Sequence, residues 1–335
     1  MSNRYDERDT MFSRMFELEE GSNSYTDYYN EHPDREELDR KLRSAEGGVF
    51  ADRLIEQRQI DATFSLLADL RQFAGHGEGG AESANTHSQL EIEPADASER
   101  LKKTVLSYGA VKCGIADTNP DWLYSVRGRG RHYKQDVKDV LPATIVFAVE
   151  MDETEINRAP AVEQSVEVVR GYMQAAVIGL TVKRIINSWG YRAICHMDGE
   201  SQIILPPAAE AAGLGSIGLN GLLVTKECGP RLRLAAVTTD LQLLTDPASG
   251  FNVRKFCKTC GRCADACPSA SIRKYDDYDA GGRFSINHET CFGLWREMAT
   301  DCGVCLAVCP FSHPDGEKKK AAPQGFLKDM MFGKN

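Results

Sequence analysis

The sequence lacks any apolar run long enough to cross a membrane. Its best apolar stretches, residues 141–149 and 175–182, are about half of the roughly 18 to 20 residues that a membrane-spanning helix requires. The first nine residues are mostly charged or polar and contain no apolar segment of the kind that directs export. We therefore predict no transmembrane segment and a cytoplasmic location, although a signal removed before Met1 would leave no trace.

Basic charge is not in excess either. The 335 residues include 49 acidic and 40 basic side chains, which gives a net charge of −9. A broad electrostatic surface for nucleic acid is therefore not expected. With 42% hydrophobic residues the chain can bury one large core or two moderate ones, which excludes a disordered or collagen-like protein.

Composition divides the chain into four segments. Residues 1–97 mix charged and aromatic side chains and end in a Gly-, Ser- and Glu-rich stretch, typical of an arm and a surface linker that wrap a core formed elsewhere. Residues 98–250 alternate between helix and strand patterns, residues 251–315 are rich in Cys, and residues 316–335 are a tail. We predict an α+β fold built from α/β layers.

Hydrophobic periodicity predicts the elements. A helix begins behind a Ser98 cap, and a long helix spans 162–189, where apolar residues recur every three to five positions until Gly190 ends the pattern. Shorter helices are predicted in the arm at 34–43 and 51–58. The predicted strands are 111–115, 143–150, 191–195 and 231–238.

Eight of the eleven cysteines lie between positions 257 and 309. The first four follow the spacing C-x2-C-x2-C-x3-C-P of two-cluster bacterial ferredoxins, in which the fourth cysteine ligates the other cluster. A second run, C-x2-C-x3-C-P, lacks the first cysteine of that pattern. Cys291, which stands upstream of this run, takes its place. A pair of structural zinc sites is the alternative that soft thiolate ligands leave open. The predicted [4Fe-4S] ligand sets are Cys257, Cys260, Cys263 and Cys309 for one cluster, and Cys267, Cys291, Cys302 and Cys305 for the other.

A second motif is rich in glycine, with four glycines between Gly213 and Gly221. Glycine allows the close approach of a ligand or of another main chain. The stretch 212–225 that holds this motif, the clustered cysteines and several shorter stretches resemble the corrinoid-dependent reductive dehalogenases. Those shorter stretches are 4–14, 28–33, 229–234 and 239–241. The resemblance extends from about Arg4 to about Pro314.

Epoxyqueuosine reductases are close to that family in architecture, because they share the corrinoid domain and the paired clusters. They typically carry helical repeats after the clusters, whereas this sequence ends about 25 residues past Cys309. The N-terminal stretches also favour the dehalogenase branch.

The resemblance implies a nitroreductase-like core that binds base-off cobalamin without covalent attachment, followed by a ferredoxin-like domain with two [4Fe-4S] clusters. It places the cobalamin contacts in the glycine-rich segment. This chain departs from the family there, since Ser216 and Leu219 stand where Glu and Arg are often found. The implied contacts are Gly213, Leu214, Gly215, Gly218, Asn220, Gly221 and Thr225.

The resemblance also implies three catalytic residues: Tyr172 as proton donor, Arg231 as its basic neighbour, and Asp198 as a polar residue that positions the donor through a hydrogen bond. A phenol with a pKa of about 10 donates poorly at neutral pH unless a cation stabilises its phenolate, and arginine keeps its charge. A plain core tyrosine and a strand-edge ion pair are the alternatives for Tyr172 and Arg231.

These features predict an oxidoreductase that removes halide from an organohalide, with two electrons relayed through the clusters to cobalt. The implied partners are a small organohalide and an external low-potential electron donor such as ferredoxin or flavodoxin, and no nucleic acid is expected. Two alternatives stay open: an epoxyqueuosine reductase-like tRNA-modifying enzyme, and a non-catalytic iron–sulfur electron carrier.

Overall fold

The computed structural model of the protein describes residues 4–45, 48–75, 88–138, 141–274 and 286–313. The predicted tail, 316–335, lies outside these residues, as does the part of the predicted linker at 76–87.

A four-stranded sheet forms the centre of the fold. Its strands lie in the order β1 (Lys112–Asp117), β2 (Ala143–Glu150), β6 (Leu232–Thr239) and β3 (Ala193–His196), and neighbouring strands are antiparallel. A separate hairpin pairs β4 (Ser216–Ile217) with β5 (Leu223–Val224). The predicted strand 143–150 is confirmed, and the other three predicted strands begin and end one or two residues later than expected. The mixture of helices with an antiparallel sheet confirms the α+β class.

Helices precede, flank and follow the sheet. None of the helices in the described ranges is long and apolar enough to cross a bilayer. The α-helices are α1 (Met11–Phe16), α2 (Asn23–Glu31), α3 (Pro33–Ser44), α4 (Leu54–Arg71), α5 (Pro94–Ser107), α6 (Glu153–Ile156), α7 (Val162–Ser188), α8 (Leu205–Ala211), α9 (Val253–Cys260), α10 (Arg262–Asp265), α11 (His288–Met298) and α12 (Val304–Ala307).

The sheet is buried on both faces, which explains the unbroken apolar run of β2. Ile145, Phe147 and Val149 face the layer in which α5 and α7 pack. Val146 and Ala148 face the opposite layer, in which α8 packs. A strand that is covered on both sides has no polar face, so its sequence does not alternate.

Helix α7 is the predicted long helix, and it ends just before Gly190, whose φ of +88° is left-handed. It contacts β3, β6 and α4. Helix α4 is much longer than the predicted helix at 51–58, because Ile60 and Leu67 near its middle and end bury themselves in apolar clusters shared with α7. Tertiary packing therefore extends this helix beyond its local signal.

Helix α5 begins earlier than the sequence predicts. Pro94 occupies its first turn, and the hydroxyl of Ser98, which was expected to cap the helix, donates to the Pro94 carbonyl at 2.7 Å inside it. Proline suits the first turn because the missing N–H has no acceptor there. The predicted division at 97/98 therefore falls within one helix.

Buried ion pairs tie the N-terminal helices to later parts of the chain. Arg14 of α1 is paired with Asp39 of α3 and reaches Glu289 of α11 at 2.9 Å. Glu7 and Arg127 form a second buried pair at 3.1 Å. The N-terminal segment thus packs against the cysteine-bearing segment as well as the loop that follows β1.

Candidate iron–sulfur ligands and proton-donor site

The first predicted ligand set shares one cavity. All four thiols line a space of about 360 Å³, part of it open to solvent, where α9, α10 and the turn after α12 meet. Burial raises the pKa of Cys263 to about 12, and the nearby thiolates of Cys257, Cys309 and Cys260 contribute to the increase. Four thiols this close together repel one another when they are ionised, and each therefore raises the pKa of the others. The positive charge of a bound iron cluster would remove this repulsion and stabilise all four as thiolates.

The second set gathers around Cys305. Burial raises the pKa of Cys305 well above its ordinary range, and Cys302, Cys263, Cys291 and Cys267 add to the increase. Since Cys263 belongs to the first set, the two sets are adjacent. All eight cysteines lie within the described ranges, and none of them forms a disulfide.

The thiols of the first set are spread around their cavity. Within the described ranges, no three His, Cys, Asp or Glu side chains are grouped so that they could hold a single metal ion. Main-chain N–H groups point at several sulfurs: Leu219 donates to Cys257, and Ser271 donates to Cys267 at 3.3 Å. Hydrogen bonds to the sulfurs help to set the reduction potential of a cluster.

The glycine-rich segment forms the β4–β5 hairpin and its approach, next to the first ligand set. A Cβ at Gly213 or at Gly215 would lie 2.4 Å from a main-chain carbonyl oxygen of a neighbouring segment. A side chain at either position would collide with that carbonyl oxygen, so glycine is what allows the two main-chain segments to pack together. Gly218 borders the cavity instead, and a Cβ there would lie 3.8 Å from the Cys257 sulfur.

The other predicted cobalamin contacts divide in the same way. Asn220 is 5% exposed and borders the cavity. Leu214 packs in the apolar layer of α8, and Gly221 has a φ of +71° in the turn of the hairpin. Thr225 is fully buried, and its hydroxyl accepts the Cys228 N–H at 3.1 Å. The structure thus brings Gly218 and Asn220 to a cavity and gives the remaining residues contacts within the protein.

Tyr172 lies on α7 with an arginine over its ring. The guanidinium carbon of Arg233 is 4.6 Å from the ring centroid. Gly171 leaves room for this arginine, because a Cβ there would lie 2.9 Å from Arg233 Cγ. On β6, Arg233 lies on the same face as Ala235 and Val237, which pack against α7. Its buried Nε has no hydrogen-bond partner among the described residues.

Two carboxyl groups and a second arginine surround this pair. Burial raises the pKa of Tyr172 above its ordinary value, and the negative charges of Asp198 and Asp301 add to the increase. The positive charges of Arg233 and Arg129 oppose it. A phenol that stays protonated, with a cation against its ring, is suited to donate a proton when negative charge can be stabilised.

Asp198 is held in place by the end of α4 and by the loop that follows β1. Arg71, the last residue of α4, donates to the Asp198 carboxylate at 3.1 Å and to its carbonyl oxygen at 2.9 Å. Arg129 lies 3.8 Å from the other carboxylate oxygen. Asp198 is therefore an ion-paired carboxylate within electrostatic range of Tyr172.

Arg231 makes its hydrogen bonds and its ion pair with residues other than Tyr172. Arg231 is 2% exposed, and its Nε donates to the Ser312 carbonyl at 3.0 Å while its Nη1 donates to the Met151 carbonyl at 2.5 Å. Its Nη1 also lies 2.9 Å from the Glu150 carboxylate. Arg231 therefore joins the end of β2 to the turn that follows the last cysteine, and the basic neighbour of Tyr172 is Arg233.

Four residues around Tyr172 and Asp198 are absent from the predicted site: Arg233, Asp301 and Arg129, which act on Tyr172, and Arg71, which contacts Asp198. Alternation along the predicted strand could have identified Arg233, because it shares a face with apolar residues that must meet the long helix. Asp301 and Arg71 lie far from Tyr172 in the chain, and no motif marks them.

Comparison with known proteins places the cysteine-bearing segment in a family. Residues 256–313 match the 4Fe-4S dicluster domain. The chain is 30% identical over 268 residues to the tetrachloroethene reductive dehalogenase of Desulfitobacterium hafniense, which covers 65% of this chain and 48% of that protein. It is 28% identical over 283 residues to that of Sulfurospirillum multivorans, covering 72% and 56%. The epoxyqueuosine reductase of Gloeobacter violaceus is 28% identical over 254 residues, covering 65% and 77%.

Among solved structures, the fold matches the catabolic reductive dehalogenase NpRdhA. A variant of that protein aligns with a TM-score of 0.67 and 20% identity over 98% of this chain and 44% of its own. Its complex with 3-bromo-4-hydroxybenzoic acid aligns with a TM-score of 0.62 and 22% identity, over 83% and 39%. The chain spans about half the length of the curated dehalogenases it matches. It contains a 4Fe-4S dicluster domain and is related to the reductive dehalogenases and to the epoxyqueuosine reductases.

Proposed function

We propose that this chain is a corrinoid- and iron–sulfur-dependent reductive dehalogenase that removes halide from a small organohalide. The observation that carries the proposal is the position of Tyr172, which packs with Cys305 of the second ligand set against one small apolar cluster. A proton donor beside electron-transfer ligands suits a reaction that consumes two electrons and one proton. The homology to tetrachloroethene reductive dehalogenases supports the same chemistry.

The residues present fit the implied iron–sulfur groups. Each of the two thiol sets has the four ligands of a [4Fe-4S] cluster, and the dicluster match covers all eight cysteines. Their adjacency provides a route for single electrons from the first set to the second.

One buried side chain offers a hydrogen bond to the implied cobalamin or to the substrate. When bound, base-off cobalamin supplies a low-potential cobalt centre for cleavage of the carbon–halogen bond. Two of the implied contacts, Gly218 and Asn220, border the cavity that the first thiol set shares, so they lie where the first cluster would be held. Arg233 has a buried Nε that lacks a partner among the described residues, and this atom would donate to a polar group of the cofactor or the substrate.

Tyr172 is assigned as the proton donor. Its hydroxyl proton goes to the carbon that loses halide, so two electrons and one proton replace a carbon–halogen bond by a carbon–hydrogen bond and release a halide ion. Arg233 stabilises the phenolate as its charge develops, because a guanidinium does not lose its own charge. Asp198, paired with Arg71, positions the surrounding groups.

Metal analysis and halide release test this proposal. The chain is purified without air, reconstituted with iron and sulfide, and supplied with cobalamin and chemical reductant. We expect about eight irons and about one corrinoid per chain, together with halide release from a chlorinated alkene or a brominated phenol. Tyr172→Phe should retain both cofactors and lose halide release.

Two other results would overturn the proposal. Iron without bound corrinoid would leave an electron carrier. Bound corrinoid with reduction of epoxyqueuosine in tRNA, and no halide release, would favour the second candidate, which the 77% coverage of an epoxyqueuosine reductase supports. In that case Asp198 would be the expected acid.

A further inference from the structure

Helix α9, which carries ligands of the first set, lies in a segment of one charge. Residues 247–264 contain no acidic side chain, although the whole chain has a net charge of −9. All of the basic side chains in this segment are exposed. They are Arg254, Lys255, Lys258 and Arg262.

One of these cations holds α9 in place. Arg254 is paired with Glu210 of α8 at 2.9 Å and also reaches the Ile217 carbonyl, so it anchors α9 to the glycine-rich hairpin. We call Lys255, Lys258 and Arg262 the basic face, because they are exposed on α9 and α10 between and beside the cysteines of the first set.

An aromatic residue accompanies the basic face. Phe256 is 43% exposed, and its ring centroid lies 5.1 Å from that of Phe311. Both rings line the cavity that the thiols of the first set share, and that cavity opens to solvent. An apolar centre with a charged rim is the usual anatomy of a protein–protein contact.

The two ligand sets differ in their surroundings. The second set contains Cys305, which packs near Tyr172, whereas the first set opens to solvent beside the basic face. The open cavity of the first set therefore offers electrons from an external carrier a way in.

We propose that the basic face, with Phe256 at its centre, is the docking surface for a small acidic electron-carrier protein. One electron leaves the reduced carrier and enters the cluster of the first set; the carrier is oxidised by one electron, the cluster is reduced by one, and no bond forms or breaks. Opposite charges would steer the carrier to this face of a chain whose overall charge would otherwise repel it. The proposal rests on the two-cluster relay proposed above.

The test compares the reconstituted full chain with K255E/R262E. A matched control, R58E/R100E, makes the same change in net charge with two exposed arginines of α4 and α5. Iron and sulfide contents are first shown to be equal. Reduction of the clusters by reduced flavodoxin, an acidic carrier, is followed by stopped-flow absorbance at low and high salt, and binding of oxidised flavodoxin is measured by calorimetry.

We expect K255E/R262E to slow reduction at low salt by about tenfold or more and to raise the Kd in parallel, whereas the control changes either value by less than about twofold. The difference should shrink at high salt, and reduction by dithionite at high salt should be equal in all three proteins. Equal slowing in both variants, or none in K255E/R262E, would overturn the docking surface. Because no organohalide is present, that failure is separate from failure of the dehalogenase proposal, which halide release measures.

Discussion

Arg231 and Arg233 lie two residues apart, and replacing them one at a time separates a packing role from a chemical one. Arg231→Ala removes a guanidinium that is 2% exposed and leaves the Ser312 and Met151 carbonyl oxygens without their donor. A buried polar group left unpaired costs about 1–3 kcal/mol. With the ion pair to Glu150 also lost, we expect the free energy of unfolding to fall by about 3–5 kcal/mol.

Arg233→Ala should behave differently. Its Nε has no partner to lose among the described residues, and the contact with the Tyr172 ring contributes about 1 kcal/mol. The free energy of unfolding should therefore fall by about 1 kcal/mol or less. Halide release should fall about 100-fold, as expected when one group that stabilises developing charge is removed. Arg233→Lys keeps a cation and should recover part of that loss.

Urea unfolding followed by circular dichroism measures the free energy of unfolding of each variant. The rate of halide release per iron-loaded chain measures its activity. Both are measured without air on protein of equal iron content. The reasoning is refuted if Arg231→Ala unfolds at the wild-type urea concentration but releases no halide, while Arg233→Ala keeps its turnover.

Three further predictions concern single residues. Asp198 raises the pKa of Tyr172, so Asp198→Asn should move the alkaline limb of the pH–rate profile for halide release to lower pH; an unchanged limb would remove Asp198 from the site. Burial lowers the pKa of His196 from 6.5 to about 3, so only the unfolded state binds its proton near pH 5. Between pH 7 and pH 5 the wild type should lose about 2 kcal/mol of unfolding free energy that His196→Asn does not lose, as urea titrations at both values would measure. Cys309→Ser should cost about four irons per chain, and iron analysis that still finds about eight would contradict the crossed ligand sets.

The 4Fe-4S dicluster segment was predictable because its motif is mostly local in the sequence. Three ligands of the first predicted set lie within a few residues on two short helices, and in the second set Cys302 and Cys305 lie close together while Cys291 stands on α11. Left-handed glycines, Gly261 and Gly303, precede the short helices α10 and α12. Spacing in the chain therefore translates almost directly into spacing in the fold. The fourth ligand of each set comes from the other half of the motif, which the crossing rule supplies.

The choice between the two arginines was not predictable in this way. Both lie in the stretch 229–234, which carries part of the resemblance. Both also stand an even number of positions from Ala235 and Val237, the apolar residues that face α7. Which of them reaches Tyr172 depends on where the strand starts. Because β6 begins at Leu232, Arg233 is a strand residue against α7, whereas Arg231 lies in the preceding turn and reaches other segments.

The glycine-rich segment shows a related ambiguity. Glycine permits the approach of a ligand or of a main chain, and sequence alone does not distinguish the two. Gly213 and Gly215 contact main-chain oxygens, and Gly218 borders a cavity, so one motif combines both uses.

The proton-donor site and the second ligand set are coupled through the first turns of α7. Ser165 bonds the Thr300 hydroxyl at 2.6 Å and accepts the Asp301 N–H at 3.1 Å. Tyr172 lies seven residues further along the same helix, about two turns away, so its place relative to the segment that carries Cys302 is set by one rigid element. A change that shifts this segment would therefore displace Asp301 and the thiol together relative to Tyr172. In the proposed mechanism, electron delivery and proton delivery would therefore depend on one structural support, although the residues that provide it lie more than a hundred positions apart in the chain.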